Sequence, residues 1–492
     1  MDAQSARASR LDLSDAELEQ LFAKAASLAM QEMAGMRSAP VFDAPLEGAT
    51  VRAAVAADAP LPREPVDREA LFELVESAFA TGRRSGPTFF GYVLSPPSAP
   101  AVAADLLASV ADQNLTSWRS APSATAIEHQ TLNWLSEFVG FGAKPGGLFV
   151  SGGSMANLTA VLLAIRTHSE ADADRRTLCV YSSTEVHFSV DKAVAALGVR
   201  GRSVSTDGAL RLGVNDLEAA IARDRERGLV PICVVASAGT TATGAVDPLP
   251  RIAELTRREQ LWFHIDGAYG APAAATAYAP AEFDAFAQAD SLAVDAHKWL
   301  YAPVDCGALL VRDPADGVFG PGSDYVRVLS DAAEESFAFW EHGLELSRRS
   351  RALKLWLAFR YYGADRLAQA VAEDIELVAL MAELVREAPD LELLCEPSLS
   401  VCCFRHHPEG WPEDALQDHN ERLLRELQRE GRVYPSNVLV HGRFGLRACI
   451  TNFRTTAADV TRAVELIREV GAALARGGSA EGDALERSGQ VP

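Results

Sequence analysis

Short apolar runs recur through the middle of the chain, each followed by a stretch whose apolar positions return at helical spacing. Leu148-Phe149-Val150 leads into a Gly/Ser turn and then a helical pattern over 156–167. Further runs fall at 177–181, 231–237, 261–265, 291–294 and 307–311, with helical patterns at 190–197, 215–227 and 249–259 between them. Strands apolar on both faces and separated by helices predict a mostly parallel sheet covered on both sides, an α/β unit.

The flanks read differently. Ser14-x-x-Glu17 has the form of a capping box that opens a helical run over 18–33. The Pro- and Ala-rich stretch 41–65 reads as an irregular connection, and a second amphipathic helix is expected over 68–81. Beyond the central unit, a long helix is expected over 347–362, then a mixture of helices and strands (391–394, 400–404, 445–450) that suggests a small α+β domain. The expected organisation is a helical N-terminal segment (1–98), a large domain (99–365), a small domain (366–475) and a Gly/Ser/charge-rich, disordered tail (476–492).

Charge narrows the partners. With 46 basic against 67 acidic residues the net charge is −21. That surface repels phosphate backbones and anionic lipid, so neither nucleic acid nor membrane is an expected partner, and solubility explains the excess. No run approaches the roughly 18 apolar residues of a membrane span. The polar start, 1–10, has no apolar core of a secretory signal. The cysteines (Cys179, Cys233, Cys306, Cys395, Cys402, Cys403, Cys449) are odd in number, scattered and without metal-ligand spacing. They read as free thiols of a reducing cytoplasm, with no metal site.

Five segments carry candidate chemistry. In Ser291-Leu-Ala-Val-Asp-Ala-His297-Lys298-Trp299 a lysine stands just past a buried strand, where it must be paired, deprotonated or covalently used unless it reaches solvent. Leu261-Trp-Phe-His-Ile-Asp266-Gly267-Ala268 ends another strand in an aspartate, which can hold a pyridine nitrogen protonated, cap a helix or bind a metal. Phe149-Val-Ser151-Gly152-Gly153-Ser154-Met-Ala-Asn157 is strand, Gly-rich turn and helix start, suited to an anion or simply a tight turn; it matches neither the P-loop nor the dinucleotide fingerprint. His187, in Thr184-Glu-Val-His187-Phe-Ser-Val, can stack on a ring or act as a cap. Ala236-Ser-Ala-Gly239-Thr240-Thr241 can line the same crevice or run over the surface.

In this order the five segments resemble the group II pyridoxal-phosphate amino-acid decarboxylases, which include the aromatic-L-amino-acid, glutamate, histidine and diaminobutyrate enzymes. The likeness runs from about 86 to 470 and is also carried by Gly86-Pro-Thr-Phe-Phe-Gly-Tyr92 and Trp118-Arg-Ser-Ala-Pro-Ser-Ala-Thr-Ala-Ile-Glu128. It implies the aspartate-aminotransferase type (fold-type I) large domain and a cytoplasmic homodimer whose N-terminal segments wrap the partner. It implies decarboxylation of an L-amino acid to its amine, with pyridoxal 5′-phosphate joined to Lys298, Asp266 at the pyridine nitrogen and His187 stacked over the ring. Gly153 and Ser154, with His297, would hold the phosphate; Thr241 would sit against the cofactor and Ala268 beneath the ring. Tyr92, Ser95, Asn114 and Thr116 would form the substrate wall; polar Asn114 and Thr116 hint at a polar or acidic substrate, or at simple drift. Asp295 stands where the aromatic enzymes often have Asn, and Arg447 where glutamate decarboxylases use an arginine. Members commonly carry a tyrosine proton donor before the Arg-Arg-x-Arg segment; here 331–340 has none, and Tyr325 is nearby. That departure leaves an aldehyde synthase as the alternative activity. A silent cofactor-binding paralogue would be expected to lack one of Lys298, Asp266 or His187, and all three are present.

Overall fold

The computed structural model describes residues 11–42, 47–142, 145–170, 173–312 and 333–488, with side chains omitted for 333–334 and 477–488. Seven strands form the large sheet: β1 (Gly146–Val150), β2 (Leu178–Ser183), β3 (Arg200–Val204), β4 (Val230–Ser237), β5 (Trp262–Asp266), β6 (Ser291–Asp295) and β7 (Gly307–Val311). Their order is β1-β7-β6-β5-β4-β2-β3. The pairs among β3, β2, β4, β5 and β6 are parallel, and β7 runs antiparallel between β6 and β1.

Side chains along each strand alternate between two cores, which is why the runs are apolar throughout. Phe149, Leu292, Val294, Ala308 and Leu310 face one core, while Leu148, Val150, Ala293, Leu309 and Val311 face the other. Because β1, β2, β4, β5 and β6 point the same way, their carboxyl ends meet at one edge, where α/β sheets bind ligands. The antiparallel β7 brings its first residue, Gly307, to that same edge, paired with Val150 and Asp295. A second, antiparallel sheet has the order β10-β11-β9-β8, from β8 (Leu391–Leu393), β9 (Val401–His406), β10 (Ser436–Val440) and β11 (Arg443–Cys449). Its apolar face packs Phe404, Leu446 and Ala448 against three helices, Ala364–Glu387, Glu413–Glu430 and Ala457–Ser488.

Four expectations need correction. The stretch 41–65 contains a short helix, Gly48–Ala54, whose only notice in the sequence is an Ala-rich composition. β3 went unpredicted because Arg200-Gly-Arg-Ser-Val is a polar edge strand with one buried residue. The helix expected over 347–362 starts only at Ala352. Ahead of it the backbone of Arg348 is spoken for: its N–H donates to Asn114 Oδ1 and its carbonyl accepts from Leu115 N–H, which a helical turn would forbid. Finally, the last helix runs to Ser488 through the tail expected to be disordered, where Ala, Glu, Leu and Arg outweigh the glycines in helix preference. The capping box does form at Ser14, with the Ser14 hydroxyl accepting from Glu17 N–H and the Glu17 carboxylate accepting from Ser14 N–H.

Candidate active site

A cavity of about 360 Å³ opens at the carboxyl edge of the large sheet. Gly153, Ser154, His187, Thr241, Asp266, Ala268, His297 and Lys298 all line it, so one fold brings together residues spread over 146 positions of sequence. Most sit where a strand ends or a helix begins, with Thr241 in the turn that follows β4, because those are the places where backbone leaves the sheet and side chains face outward.

Asp266 is fixed by a network running below the cavity floor. Its Oδ1 accepts from Ala268 N–H at 3.2 Å and its Oδ2 from Asn157 Nδ2 at 2.8 Å. The same amide donates to Ser189 Oγ at 2.9 Å, and Ser189 Oγ lies 2.7 Å from His187 Nδ1. Asn157 Oδ1 is 2.9 Å from His264 Nε2, and His264 Nδ1 is 2.8 Å from Ser291 Oγ, which also accepts from Trp262 Nε1. Donor counting sets the protons: Asn157 Oδ1 can only accept, so His264 carries its proton on Nε2 and accepts from the Ser291 hydroxyl. By the same count Ser189 donates to His187 Nδ1, leaving the His187 proton on Nε2. Burial pushes His264 down to about 4 and lowers His187 as well, so both rings are neutral near pH 7. His187 is thus both the N-cap of the Phe188–Leu197 helix and a wall of the cavity.

The Gly-rich turn forms the opposite end. Gly152 caps the Gly153–His168 helix without a side-chain bond, so the first backbone N–H groups are left for a ligand. A Cβ at Gly153 would lie 2.9 Å from Ala268 Cβ, and one at Gly152 would lie 3.2 Å from His297 Cε1. The turn is a cradle that any side chain would fill. His297 Nδ1 accepts from Cys306 N–H at 3.1 Å, which leaves its Nε2–H free to donate. Burial lowers His297 too, so that donor is neutral. Hydroxyl, free N–H groups and imidazole N–H at one end, with a fixed carboxylate at the other, fit a pyridoxal phosphate.

Lys298 stands between the two ends. Its Nζ lies 3.1 Å from Oδ2 of Asp295, which is almost wholly buried. The next residue, Trp299, stacks on Tyr269 at 5.2 Å and donates to Asp374 Oδ2, which also accepts from the Tyr301 hydroxyl. The turn carrying the lysine is therefore pinned to the Ala364–Glu387 helix.

The expected substrate wall does not line this cavity. Ser95 lies behind it, its hydroxyl bonded to the Lys298 carbonyl. Asn114 spends its Oδ1 on Arg348 N–H, and the Thr116 hydroxyl pairs with Ser120 at 2.8 Å. Tyr92 is exposed, and its carbonyl accepts from Arg447 Nη1 at 2.7 Å. Arg447 also donates to the Ala242 carbonyl, so it ties the segment around Tyr92 to the loop that carries Thr241. Among residues not singled out from sequence, Asn157, Ser189 and His264 matter most for the geometry. The helical register gave one signal: Asn157 falls four residues after Gly153, on the face turned to the sheet. Tyr325 lies outside the described residues.

Residues 52–407 match the family described as the pyridoxal-dependent decarboxylase conserved domain. The chain is 34% identical to an aromatic-L-amino-acid decarboxylase of Bacillus atrophaeus, over 93% of this chain and 96% of that one. It is 32% identical to an L-2,4-diaminobutyrate decarboxylase of Rhizobium meliloti (strain 1021), over 80% and 79%. Its fold matches the crystal structure of Oryza sativa TDC with PLP and tryptamine at a TM-score of 0.87 and 26% identity, over 95% of this chain and 100% of that one. The chain belongs to the pyridoxal-dependent decarboxylase family and has its fold-type I architecture, its pyridoxal 5′-phosphate and its carboxy-lyase activity on an amino acid.

Proposed function

We propose that this decarboxylase acts on an aromatic L-amino acid, with Lys298 as the covalent carrier of the cofactor and Asp266 as the partner of its ring nitrogen. In this reading His187 covers the ring, Ala268 and Thr241 flank it, and Gly153, Ser154 and His297 hold the phosphate. The observation that carries the residue roles is the single cavity in which a fixed carboxylate, a lysine amine and a glycine-lined anion cradle face one another. The aromatic substrate is supported by the 34% identity across 93% of the chain.

When bound, the cofactor supplies a cationic conjugated ring that takes up the electron pair left on Cα as CO₂ departs. The chain's part is to aim and to hold charge. Asp266, held by two donors, keeps a negative charge where a protonated nitrogen needs one. His187, neutral and fixed by Ser189, packs without adding a second cation. Lys298, whose Nζ pairs with Asp295, would hold the cofactor covalently and could carry a proton at that nitrogen.

We divide the chain at 98 and 365, as its sequence suggested, and assign it to the cytoplasm as a homodimer. Among the described residues no helix is long and apolar enough to cross a membrane. Leu18 and Phe22 on the first helix, and Leu106, Leu107 and Val110 on the Ala99–Ala111 helix, are exposed apolar groups of the kind a partner subunit covers. Light scattering of the active protein should give twice the chain mass; a monomer with full activity ends that part of the reading.

Purified protein with pyridoxal 5′-phosphate should convert L-tryptophan, L-tyrosine or L-phenylalanine to the amine and CO₂, identified by mass spectrometry. Turnover of L-2,4-diaminobutyrate alone would overturn the substrate, and aldehyde with ammonia and peroxide would point to the synthase instead. Lys298→Ala should lose both turnover and the visible absorbance of the bound cofactor.

A further inference from the structure

We propose that Asp295 shares a proton with the phosphate of the cofactor, so that the site takes up a proton from solvent when the phosphate binds. The inference rests on the reading of the cavity given above. Asp295 ends β6 with its carboxyl on the inner side of the glycine turn: a Cβ at Gly153 would lie 3.1 Å from Oδ2, and one at Gly307 only 2.5 Å from Oδ1. The side chain is 1% exposed, and Oδ1 has no hydrogen-bond partner. Oδ2 has Lys298 Nζ at 3.1 Å and His297 Nε2 at 3.6 Å.

Among the described residues, the groups facing this carboxyl from each packed element leave it one cation. From its own turn come His297, kept neutral by burial, and Lys298; from the β2 edge comes His187, also neutral; from the β7 side comes the Cys306 thiol. Asp266, across the cavity, adds a further negative charge. The Gly153–His168 helix brings backbone N–H groups and the Ser154 hydroxyl, none of them charged. Lys298 is the residue that the cofactor claims, and the new charge arrives at the opposite end as a phosphate dianion. A buried carboxylate stripped of its ammonium cannot face that dianion bare. A carboxyl that has gained a proton becomes a donor to a phosphate oxygen instead. The only bond formed is O–H at that contact, and the proton comes from water or buffer.

The experiment titrates the apoprotein with pyridoxal 5′-phosphate and, separately, with pyridoxal, above about pH 7, where a phosphate monoester is a dianion. The phosphorylated ligand should lose affinity with rising pH about tenfold per unit more steeply than pyridoxal. In Asp295→Asn, whose amide donates without a borrowed proton, the two slopes should coincide. Calorimetry in buffers of different ionisation heat should show the native protein taking up about one proton more than that variant. Parallel slopes for the two ligands in the native protein overturn the proposal while leaving the cavity assignment intact. Failure of pyridoxal 5′-phosphate to bind overturns the cavity assignment itself. Should Asp295→Asn not fold, the native comparison alone decides.

Discussion

At the scale of single residues, the site depends on a side chain with no obvious chemistry. Asn157 spends both amide hydrogens and its oxygen on Ser189, Asp266 and His264. Replacing it by alanine leaves two buried acceptors and one buried donor short of partners. Asn157→Ala should cost about 1–3 kcal/mol of stability for each group left unpaired and should weaken cofactor binding, read by denaturant unfolding and absorbance titration. Unchanged affinity would mean that Asp266 does not need its clamp. Lys298 and Asp266 were legible in the sequence because each closes an apolar run, and the end of a buried strand is where a charge can leave the core. Asn157 was not, since an asparagine within a helix looks the same whether it faces solvent or a carboxylate. Asn114 and Thr116 do not line the cavity, and the direction of a side chain in a loop depends on backbone partners far away in sequence, as Arg348 N–H is for Asn114.

At the scale of elements, a buried ion pair joins three segments. Arg348 donates to Glu128 Oε1 at 2.6 Å, to the Phe149 carbonyl at 2.8 Å and to the Leu115 carbonyl, with its guanidinium 3.9 Å from the centre of the Phe339 ring. Glu128 Oε1 also accepts from Phe149 N–H. Both side chains are wholly buried, so removing one partner strands the other charge. Arg348→Met should destabilise by about 3–5 kcal/mol, measured by urea unfolding, and a loss under 1 kcal/mol would show that the pair is not held as described. The helix start at Ala352 follows from the same contacts. Periodicity alone predicted a longer helix, because the apolar spacing continues while the backbone bonds have already gone elsewhere. The edge strand β3 was illegible for a simpler reason: with solvent on one side, it has no apolar signature to read.

At the scale of the whole molecule, the two sheets differ in how they were foreseen and in how they answer acid. Parallel strands buried on both faces announce themselves. Between the second sheet and the Glu413–Glu430 helix lies a buried histidine pair, His406 Nδ1 to His419 Nε2 at 2.9 Å. Burial pushes His419 down to about 4, below the ordinary value near 6.5. A histidine depressed by folding is neutral in both states above about pH 6.5, and below that the unfolded chain binds the extra proton. Its contribution is therefore full near neutrality and drains away as pH falls from about 6.5 toward 4. Asp247 and Asp374, pushed up by burial to about 6 and about 7, act in the opposite sense, losing stabilisation as pH rises through those values. The comparison that isolates the histidine is His419→Gln, which should lose less stability than the native protein between pH 7 and pH 5. Equal losses in the two proteins would remove His419 from the account.

Arg348 holds the strand that delivers the glycine cradle, yet it borders none of the open space where substrate is handled. A mutational screen that ranked positions by nearness to the reacting atoms would pass it over, and random mutagenesis would find it as an unexplained loss of cofactor. Engineering a new specificity into this enzyme should begin by leaving that guanidinium alone.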